Sequence, residues 1–320
     1  MTIPSGTVAM SNIQSEFGDS YIMSNYYRGG SYVPNIPANA GIPTSGTISM
    51  LQFRGASYIW YVSMTVGGTT DFNMHSYMTT YYGNSNGPIY ATLTLNGSSV
   101  LYATSTSSWG FTTGSGWPSG SSLTFNISGG SYVTGQGGNG GAGNSFYKGS
   151  AVVDGSPGGP AIYLLYPLTI NNGGFVNGGG GGGGGGAIEY VPGFPYYSAG
   201  GGGGGGGDSI RFNYGGTGGI GGGAYSGGLG TPGGDGVANG GAGGAGGGFP
   251  GGEGSPPSYG GSGGPGGGWG SAGSAGGSSG MSPAGAPGTF AGAGGAAGYA
   301  IQKNGYTLSG STGTTAGPIG

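Results

Sequence analysis

The 320-residue chain contains no cysteine, one histidine and only 13 charged side chains, five of them basic and eight acidic. Without cysteine it can form neither a disulfide framework nor a thiolate zinc site. Five dispersed cations are too few to neutralise a phosphate backbone, which argues against nucleic acid as a partner. The apolar runs are too short to cross a bilayer, and the N-terminus lacks the pattern of a signal peptide. We therefore expect that the protein does not insert into a membrane and that it is assembled in a cytoplasm.

Groups suited to catalysis are equally scarce. The single histidine, His75, follows Asp71 in the sequence, but no nucleophile elbow accompanies the pair. Glycoside cleavage needs two carboxyl groups close together, and Glu16 with Asp19 is the only acidic pair that is close in the sequence. We predict a protein that is not an enzyme and uses no metal and no cofactor.

Glycine is abundant but unevenly spread. Of the 94 glycines, 16 lie in residues 1–128 and the other 78 in residues 129–320, so that about 41% of the C-terminal block is glycine. Together with the internal repeat described next, this step predicts three domains: an N-terminal attachment module at 1–56, a β-sandwich-like domain at 57–128, and a glycine-rich domain at 129–320.

The first block contains an internal repeat. Residues 5–13 (SGTVAMSNI) align with residues 45–53 (SGTISMLQF), and an Ile-Pro pair precedes each copy. Each copy predicts a short strand that leads into a turn of helix, with Ser11 or Ser49 as its cap. A module this short buries little surface, so we expect it to dock on another protein or to cap the next domain.

The second block is typical of β-structure. Residues 58–66, 89–95, 100–104 and 123–127 are rich in β-branched and aromatic residues and show alternation. Residues 96–99 (NGSS) predict a hairpin between the second and third of these strands. Four or five such strands favour a small sandwich.

The glycine-rich block poses a question of order. Ordering the backbone of each residue costs roughly 1–2 kcal/mol of conformational entropy at room temperature. Glycine has almost no side chain whose burial could offset this cost. The block is then either a flexible linker or a structure stabilised by backbone hydrogen bonds, and its recurrent aromatic insertions favour order. Uninterrupted glycine runs exclude collagen, which leaves extended three-residue-per-turn helices. The predicted fold class is mainly β and irregular: a small N-terminal repeat module, a β-sandwich-like domain, then a polyglycine-II helix bundle with aromatic loops.

The insertions between the glycine tracts supply the candidate binding residues. Aromatic rings combine a flat apolar face with low conformational entropy, which suits recognition. On a rigid scaffold they would form a receptor-binding tip; the alternative is that they cover the ends of the bundle. The candidates are Tyr190, Phe194, Tyr196, Tyr197, Tyr225, Phe249, Tyr259 and Trp269.

Two parts of the sequence resemble known phage proteins. Residues 3–18 (IPSGTVAMSNIQSEFG), 26–30 (YYRGG) and 42–50 (IPTSGTISM) resemble a module common at the N-termini of tailed-phage virion proteins. The glycine tracts with aromatic insertions look like the glycine-rich tail-fibre adhesins of T-even-type phages. In those adhesins, loops at the ends of polyglycine rods bind host outer-membrane proteins or lipopolysaccharide. The attachment residues expected in the N-terminal module are Ile3, Phe17, Tyr26, Tyr27, Arg28 and Phe53.

These observations predict a virion protein at a phage tail or tail-fibre tip that recognises a host-cell surface receptor. The resemblance implies two partners: other tail or fibre proteins at the N-terminal region, and a host outer-membrane protein or lipopolysaccharide. Two alternatives stay open, a structural protein of the neck, capsid or baseplate and, less favoured, a polysaccharide depolymerase. The sequence also leaves open whether the glycine helices pair within one chain or between chains, and whether the protein is mounted on a fibre or directly on the tail.

Overall fold

A computed structural model of the chain describes most of the N-terminal half and parts of the glycine-rich half. The described residues are 2–18, 20–83, 85–143, 153–187, 189–190, 198–199, 216–219, 231–233, 240–246, 248–249, 258–259, 261–277, 280–281 and 291–320.

Helices are few and strands are short. The α-helices are α1 (Met10–Phe17) and α2 (Met74–Tyr82), and single 3-10 turns span Met23–Tyr26, Pro37–Asn39 and Met50–Phe53. The strands before the first glycine-rich segment are β1 (Trp60–Val66), β2 (Thr69–Thr70), β3 (Phe72–Asn73), β4 (Ile89–Leu95), β5 (Val100–Tyr102), β6 (Phe111–Thr112), β7 (Ser122–Ile127) and β8 (Tyr132–Thr134). The later strands are β9 (Ile162–Tyr163), β10 (Leu168–Asn172), β11 (Phe175–Asn177), β12 (Glu189–Tyr190), β13 (Ser198–Ala199), β14 (Gly248–Phe249), β15 (Ser258–Tyr259), β16 (Gly280–Met281), β17 (Ile301–Gln302), β18 (Leu308–Ser311) and β19 (Thr314–Ala316). Within the described ranges, no helix is long and apolar enough to cross a membrane.

Fourteen of these strands form three parallel sheets. The first sheet has the order β1-β4-β7-β10-β18, the second β19-β11-β8-β5-β2, and the third β17-β9-β6-β3. Along the chain, one strand of the first sheet is followed by one of the second and one of the third, and the cycle then repeats. Each cycle therefore stacks on the one before it, which makes a three-sided parallel β-solenoid of five coils, the last without a strand in the third sheet.

Alternation of apolar and polar residues directs one face of each strand into the solenoid. Residues of β1 alternate between buried and exposed along the whole strand, and β4 follows the same pattern. Phe111 stacks on Phe125 with ring centroids 4.2 Å apart and on Phe72 at 6.1 Å. The three sheets thus share a single interior in which side chains from successive coils stack on one another.

Helix α2 lies beside the first coil. Its Met74 and Met78 are buried in the solenoid core, while Tyr77 and Tyr82 donate hydroxyl hydrogen bonds to carbonyl oxygens of β1, each at 3.4 Å. Strand β1 is the edge of the first sheet, so its outer carbonyl groups would otherwise be open to another chain.

The glycine-rich segments leave the solenoid at one corner. Between the second and third sheets, the first coil has one connecting residue, 71, and the second coil has 103–110. The same connection spans 135–161 in the third coil and 178–300 in the fourth. Most of the glycine-rich block, residues 135–161 and 178–300, is therefore inserted at this corner, between strands that belong to the solenoid.

Backbone hydrogen bonds join the inserted segments. The amide groups of Gly135, Gly138 and Gly141 donate to the carbonyl groups of residues 177, 180 and 183, at 2.8–2.9 Å. The same three-residue spacing links Gly292, Gly295 and Gly298 to residues 185, 182 and 179. The segment 178–187, here called the central glycine segment, is buried and lies between these neighbours. These contacts require glycine, because a Cβ on Gly182 would lie 1.9 Å from the carbonyl oxygen of Asn139.

The predicted fold class is wrong. In place of a β-sandwich followed by a polyglycine-II helix bundle, the structure has three parallel sheets, and the described glycine-rich segments show no helix bundle. Residues 96–99 do not form the predicted hairpin; with Ser98 at φ 63°, they turn the chain from the first sheet to the second. Alternation along a strand shows that one face is buried, but it fits a solenoid as well as a sandwich.

The N-terminal residues have a core of their own, which includes Ile13, Phe17, Tyr26 and Phe53. The two copies of the repeat start their turns alike: the backbone N–H of Ala9 donates to the Asn12 side chain at 2.8 Å, and that of Ser49 to the Gln52 side chain at 2.7 Å. At the start of α1 the N-cap residue is therefore Ala9, and its backbone N–H donates to the side chain of Asn12; Ser11 does not act as the cap.

This core abuts the solenoid. The Glu16 carboxylate accepts from the backbone N–H of Tyr58 at 2.8 Å, and the backbone N–H of Asn35 donates to the Asn86 side chain at 3.0 Å. The first sheet pairs β7 with β10, and so joins residues on both sides of position 128. The three-domain division itself stays a prediction.

Candidate functional site

Two small antiparallel sheets lie beyond the central glycine segment. Strand β12 pairs with β13, and β14, β15 and β16 form the second sheet, with β13 beside β14 and β15. The ten residues 178–187 that lead from the solenoid to β12 span at most about 35 Å if fully extended. The segment starts beside strand β19, where Gly178 N–H donates to the carbonyl group of Ala316, and ends beside Gly277, so the two sheets lie together at the end of the insertions away from the solenoid.

Three of the predicted receptor-binding residues belong to these sheets. Tyr190 pairs with Ser198, Phe249 with Ser258, and Tyr259 with both Gly248 and Gly280. Positions separated by up to 69 residues in sequence are thereby brought to one place. Phe194, Tyr196, Tyr197 and Tyr225 lie outside the described residues.

Trp269 is located elsewhere. Its ring contacts Tyr132 of β8 edge-on, with centroids 6.5 Å apart, and the N–H of the next residue, Gly270, donates to the carbonyl group of Gly178 at 2.9 Å. This position is at the base of the central glycine segment, where the segment leaves the solenoid. The structure thus separates Trp269 from the three residues of the small sheets.

Of the predicted attachment residues, Ile3, Phe17, Tyr26 and Phe53 are buried in the N-terminal core. The Tyr26 hydroxyl donates to the carbonyl group of Gly18 at 2.8 Å and accepts from the backbone N–H of Ser20 at 2.9 Å. These four residues shape the module from within.

Tyr27 and Arg28 are half-buried. The Tyr27 hydroxyl donates to the carbonyl group of Gly46, and the backbone N–H of Arg28 donates to that of Pro43 at 3.1 Å. Both residues therefore connect the chain between the two copies of the repeat to the start of the second copy.

Large apolar side chains are exposed on the same module. Tyr21 is 86% exposed, Ile22 60%, Leu51 61% and Met50 45%. Exposed apolar groups of this size are typical of surfaces that contact a partner. Sequence reasoning missed them, although the repeat carried a signal: the second copy has Leu51 where the first has Ser11.

His75 is half-buried and packs against Trp117. Its ring contacts Trp117 edge-on at 5.1 Å, and burial lowers its pKa below the usual 6.5, against a smaller opposite effect of its hydrogen bond with the backbone of Gly116. Across the described part of the chain, no three acidic or histidine side chains lie close enough to bind a metal ion.

The architecture defines a class of protein: a parallel β-solenoid that carries, at one corner, long glycine-rich insertions ending in small sheets with aromatic residues. Such an arrangement is suited to recognition, because the binding residues lie on insertions held by a stiff support.

The comparison with protein-family models agrees with this class. Residues 61–200 match the family model described as phage tail fibre adhesin Gp38. The matched range begins within β1 and ends just after β13, so that it covers most of the solenoid and the first glycine-rich insertions. The match confirms the predicted function, that of a phage tail-fibre adhesin. Because it begins at residue 61, the resemblance of the N-terminal residues to other phage virion proteins stays a prediction.

The chain is also similar to a solved structure, the crystal structure of the gp37-gp38 adhesin tip complex of the bacteriophage S16 long tail fiber. The sequence identity is 20%, the TM-score is 0.49, and the alignment covers 99% of this chain and 100% of that one. None of the curated proteins compared with the chain matches it.

Proposed function

We propose that this protein acts at the tip of a phage tail fibre, where it recognises a receptor on the host-cell surface by binding and not by catalysis. The observation that carries the proposal is the match of residues 61–200 to the tail fibre adhesin family. The low charge of the chain agrees with it, since 13 charged side chains in 320 residues offer few groups for acid–base chemistry.

The architecture suggests that the solenoid supports the binding surface and that the small sheets form it. The solenoid gives a stiff base because side chains of successive coils stack in one interior. The hydrogen bonds between the glycine-rich insertions extend this stiffness to the small sheets that contain Tyr190, Phe249 and Tyr259. A binding surface held in this way loses little conformational entropy when it meets its receptor.

The opposite end of the chain suits attachment. We infer that the exposed Tyr21, Ile22, Met50 and Leu51 contact another tail-fibre protein, while the buried attachment residues fix the shape of that surface. Such a contact removes apolar surface from water and gains about 25 cal/mol per Å². The protein then acts in the virion, after assembly in the host cytoplasm, with a host outer-membrane protein or lipopolysaccharide as its receptor.

A competition experiment tests the proposal. Purified full-length protein is added to host cells before the phage, and free phage are counted over time. We expect slower adsorption as the protein concentration rises, because the protein occupies the receptor. Unchanged adsorption at saturating protein would contradict the proposal and favour a structural role in the neck, capsid or baseplate. Release of oligosaccharide from host polysaccharide would favour a depolymerase.

The aromatic insertions are tested in the phage itself. Phage that carry Tyr196→Ala with Tyr197→Ala are expected to assemble normally and to adsorb poorly, since large rings dominate recognition surfaces. Phage with Tyr306→Ala serve as the matched control, because Tyr306 lies in the solenoid and is 39% exposed. Normal adsorption of the double variant would exclude these two residues from the receptor contact.

A further inference from the structure

The outer face of the first sheet is a second surface with the character of a binding site. Every second residue of β1, β4, β7, β10 and β18 points away from the solenoid interior. In-register pairing aligns these residues in three rows. The rows are Tyr61-Tyr90-Ser122, Ser63-Thr92-Thr124-Thr169-Ser309 and Thr65-Thr94-Asn126-Asn171-Ser311.

The composition of this face is uniform. Eleven of its 13 side chains are serine, threonine or asparagine, two are tyrosine, and none is charged. Neighbouring rungs of a sheet are about 4.8 Å apart, and residues i and i+2 of a strand are about 6.7 Å apart. The face is therefore a regular grid of hydrogen-bonding groups about 19 Å long and 13 Å wide.

Contacts between rungs hold part of this grid in place. The Asn171 amide donates to the Asn126 side-chain oxygen at 2.9 Å, and the hydroxyl oxygens of Thr169 and Ser309 are 2.9 Å apart. Each of these groups keeps further donor or acceptor capacity for a ligand. Because the sheet fixes the spacing before any ligand arrives, binding to the grid would cost little ordering.

Aromatic rings lie at one end of the grid. Tyr61 is 63% exposed and Tyr90 39%, and their rings meet edge-on with centroids 5.4 Å apart. Tyr82 of α2, 41% exposed, donates to the carbonyl group of Ser63 and borders the same end. An exposed tyrosine face packs well against an apolar surface while its hydroxyl group remains hydrated.

We propose that this face, here called the hydroxyl–tyrosine grid, binds an uncharged polysaccharide. A sugar chain presents hydroxyl groups along its edges, which match the donors and acceptors of the rows, and apolar C–H faces, which stack on Tyr61 and Tyr90. The lack of charge favours a neutral ligand over an anionic one, since nothing on the grid would compensate a desolvated phosphate or carboxylate. The site is distinct from the small sheets at the far side of the glycine-rich insertions.

Titration of the full-length protein with neutral oligosaccharides tests this proposal. The probes are dextran, mannan and xyloglucan oligosaccharides, and heparin is the anionic comparison. Binding is measured by isothermal titration calorimetry. We expect binding to at least one neutral probe, weakened tenfold or more by Tyr61→Ser with Tyr90→Ser. The affinity should be the same at 50 and 500 mM salt, because no ion pair contributes.

Two further variants separate loss of the site from loss of the fold. Thr124→Arg places a bulky charge at the centre of the grid without touching the core, and it should abolish binding with an unchanged unfolding midpoint. Tyr306→Ser removes a tyrosine as exposed as Tyr90 from another part of the solenoid, and it should bind like wild type.

Binding to none of the neutral probes would overturn the proposal, and so would binding to heparin alone or neutral binding that both grid variants retain. A protein that binds the sugars after Tyr196→Ala with Tyr197→Ala, but no longer competes for cells, would show that the grid and the proposed receptor site are independent. Wild-type protein that binds the sugars but does not compete for cells would speak against the proposed function and leave the grid intact.

Discussion

Replacement of Gly182 by alanine tests whether close backbone packing holds the glycine-rich insertions together. Gly182 is near the middle of the central glycine segment; its N–H donates to the carbonyl group of Ser156 at 2.8 Å, and its own carbonyl group accepts from Gly295 at 2.7 Å. The added Cβ would lie 1.9 Å from the carbonyl oxygen of Asn139, whereas real Cβ atoms essentially never come closer than 3.0 Å. The backbone must therefore move by about 1 Å, enough to lengthen both hydrogen bonds beyond their usual range.

The size of the effect follows from those bonds. A buried backbone group without its partner costs about 1–3 kcal/mol, and both bonds of Gly182 are lengthened together. We expect Gly182→Ala to lower the free energy of unfolding of the insertions by about 2–6 kcal/mol. The matched control is Gly67→Ala, because a Cβ at Gly67 meets no atom within 4 Å. Its expected effect is below about 0.5 kcal/mol.

Amide hydrogen exchange of the full-length protein measures the difference. In wild type, glycine amides of the insertions that donate to another segment should exchange slowly. Exchange should rise by about thirtyfold or more in Gly182→Ala and stay unchanged in Gly67→Ala. Equal protection in the wild-type protein and in Gly182→Ala would refute the argument that glycine is required there for close approach.

Three further predictions concern the solenoid and the N-terminal module. Phe125→Ala removes the ring that stacks on Phe111 and should cost about 3–5 kcal/mol in chemical denaturation, while Thr124→Ala on the outer face of the same strand should cost less than about 1 kcal/mol. Tyr26→Phe leaves the buried backbone N–H of Ser20 without its acceptor and should cost about 1–3 kcal/mol, whereas Tyr21→Phe should have no effect because Tyr21 is 86% exposed. Burial lowers the pKa of His75 in the folded protein, so the unfolded chain binds more protons below about pH 6.5 and stability falls as the pH drops through that value. Thermal unfolding between pH 5.5 and 7.5 should show this loss in wild type and not in His75→Gln; identical pH profiles would contradict the assigned cause.

Strands were more predictable from the sequence than their arrangement. The predicted strand at 89–95 is β4, and that at 123–127 falls within β7 (Ser122–Ile127), because alternation and β-branched residues report directly on a half-buried strand. The sheet that each strand joins is decided by the turns. Residues 67–68 and 96–99 look like hairpin turns, yet both lead the chain from the first sheet to the second.

The candidate site residues were also hard to predict, because local sequence patterns do not show where a side chain lies in the fold. The sequence predicts Tyr26 and Phe53 as attachment residues, but composition does not distinguish a ring on the surface from one in a core, and both are fully buried. The sequence places Trp269 in one group with Tyr190 and Tyr259 because each lies in an insertion between glycine tracts. Its contact with Tyr132 depends on the path of the whole insertion, which no local pattern encodes.

Saturable binding to host cells tests the central claim most directly. Fluorescently labelled full-length protein is titrated onto cells that the phage infects and onto resistant mutants that no longer adsorb it, and the bound protein is measured by flow cytometry. The account predicts saturable binding to the sensitive cells and none above background to the resistant mutants. Equal binding to both, or binding to neither, would contradict the claim that this chain recognises the host surface.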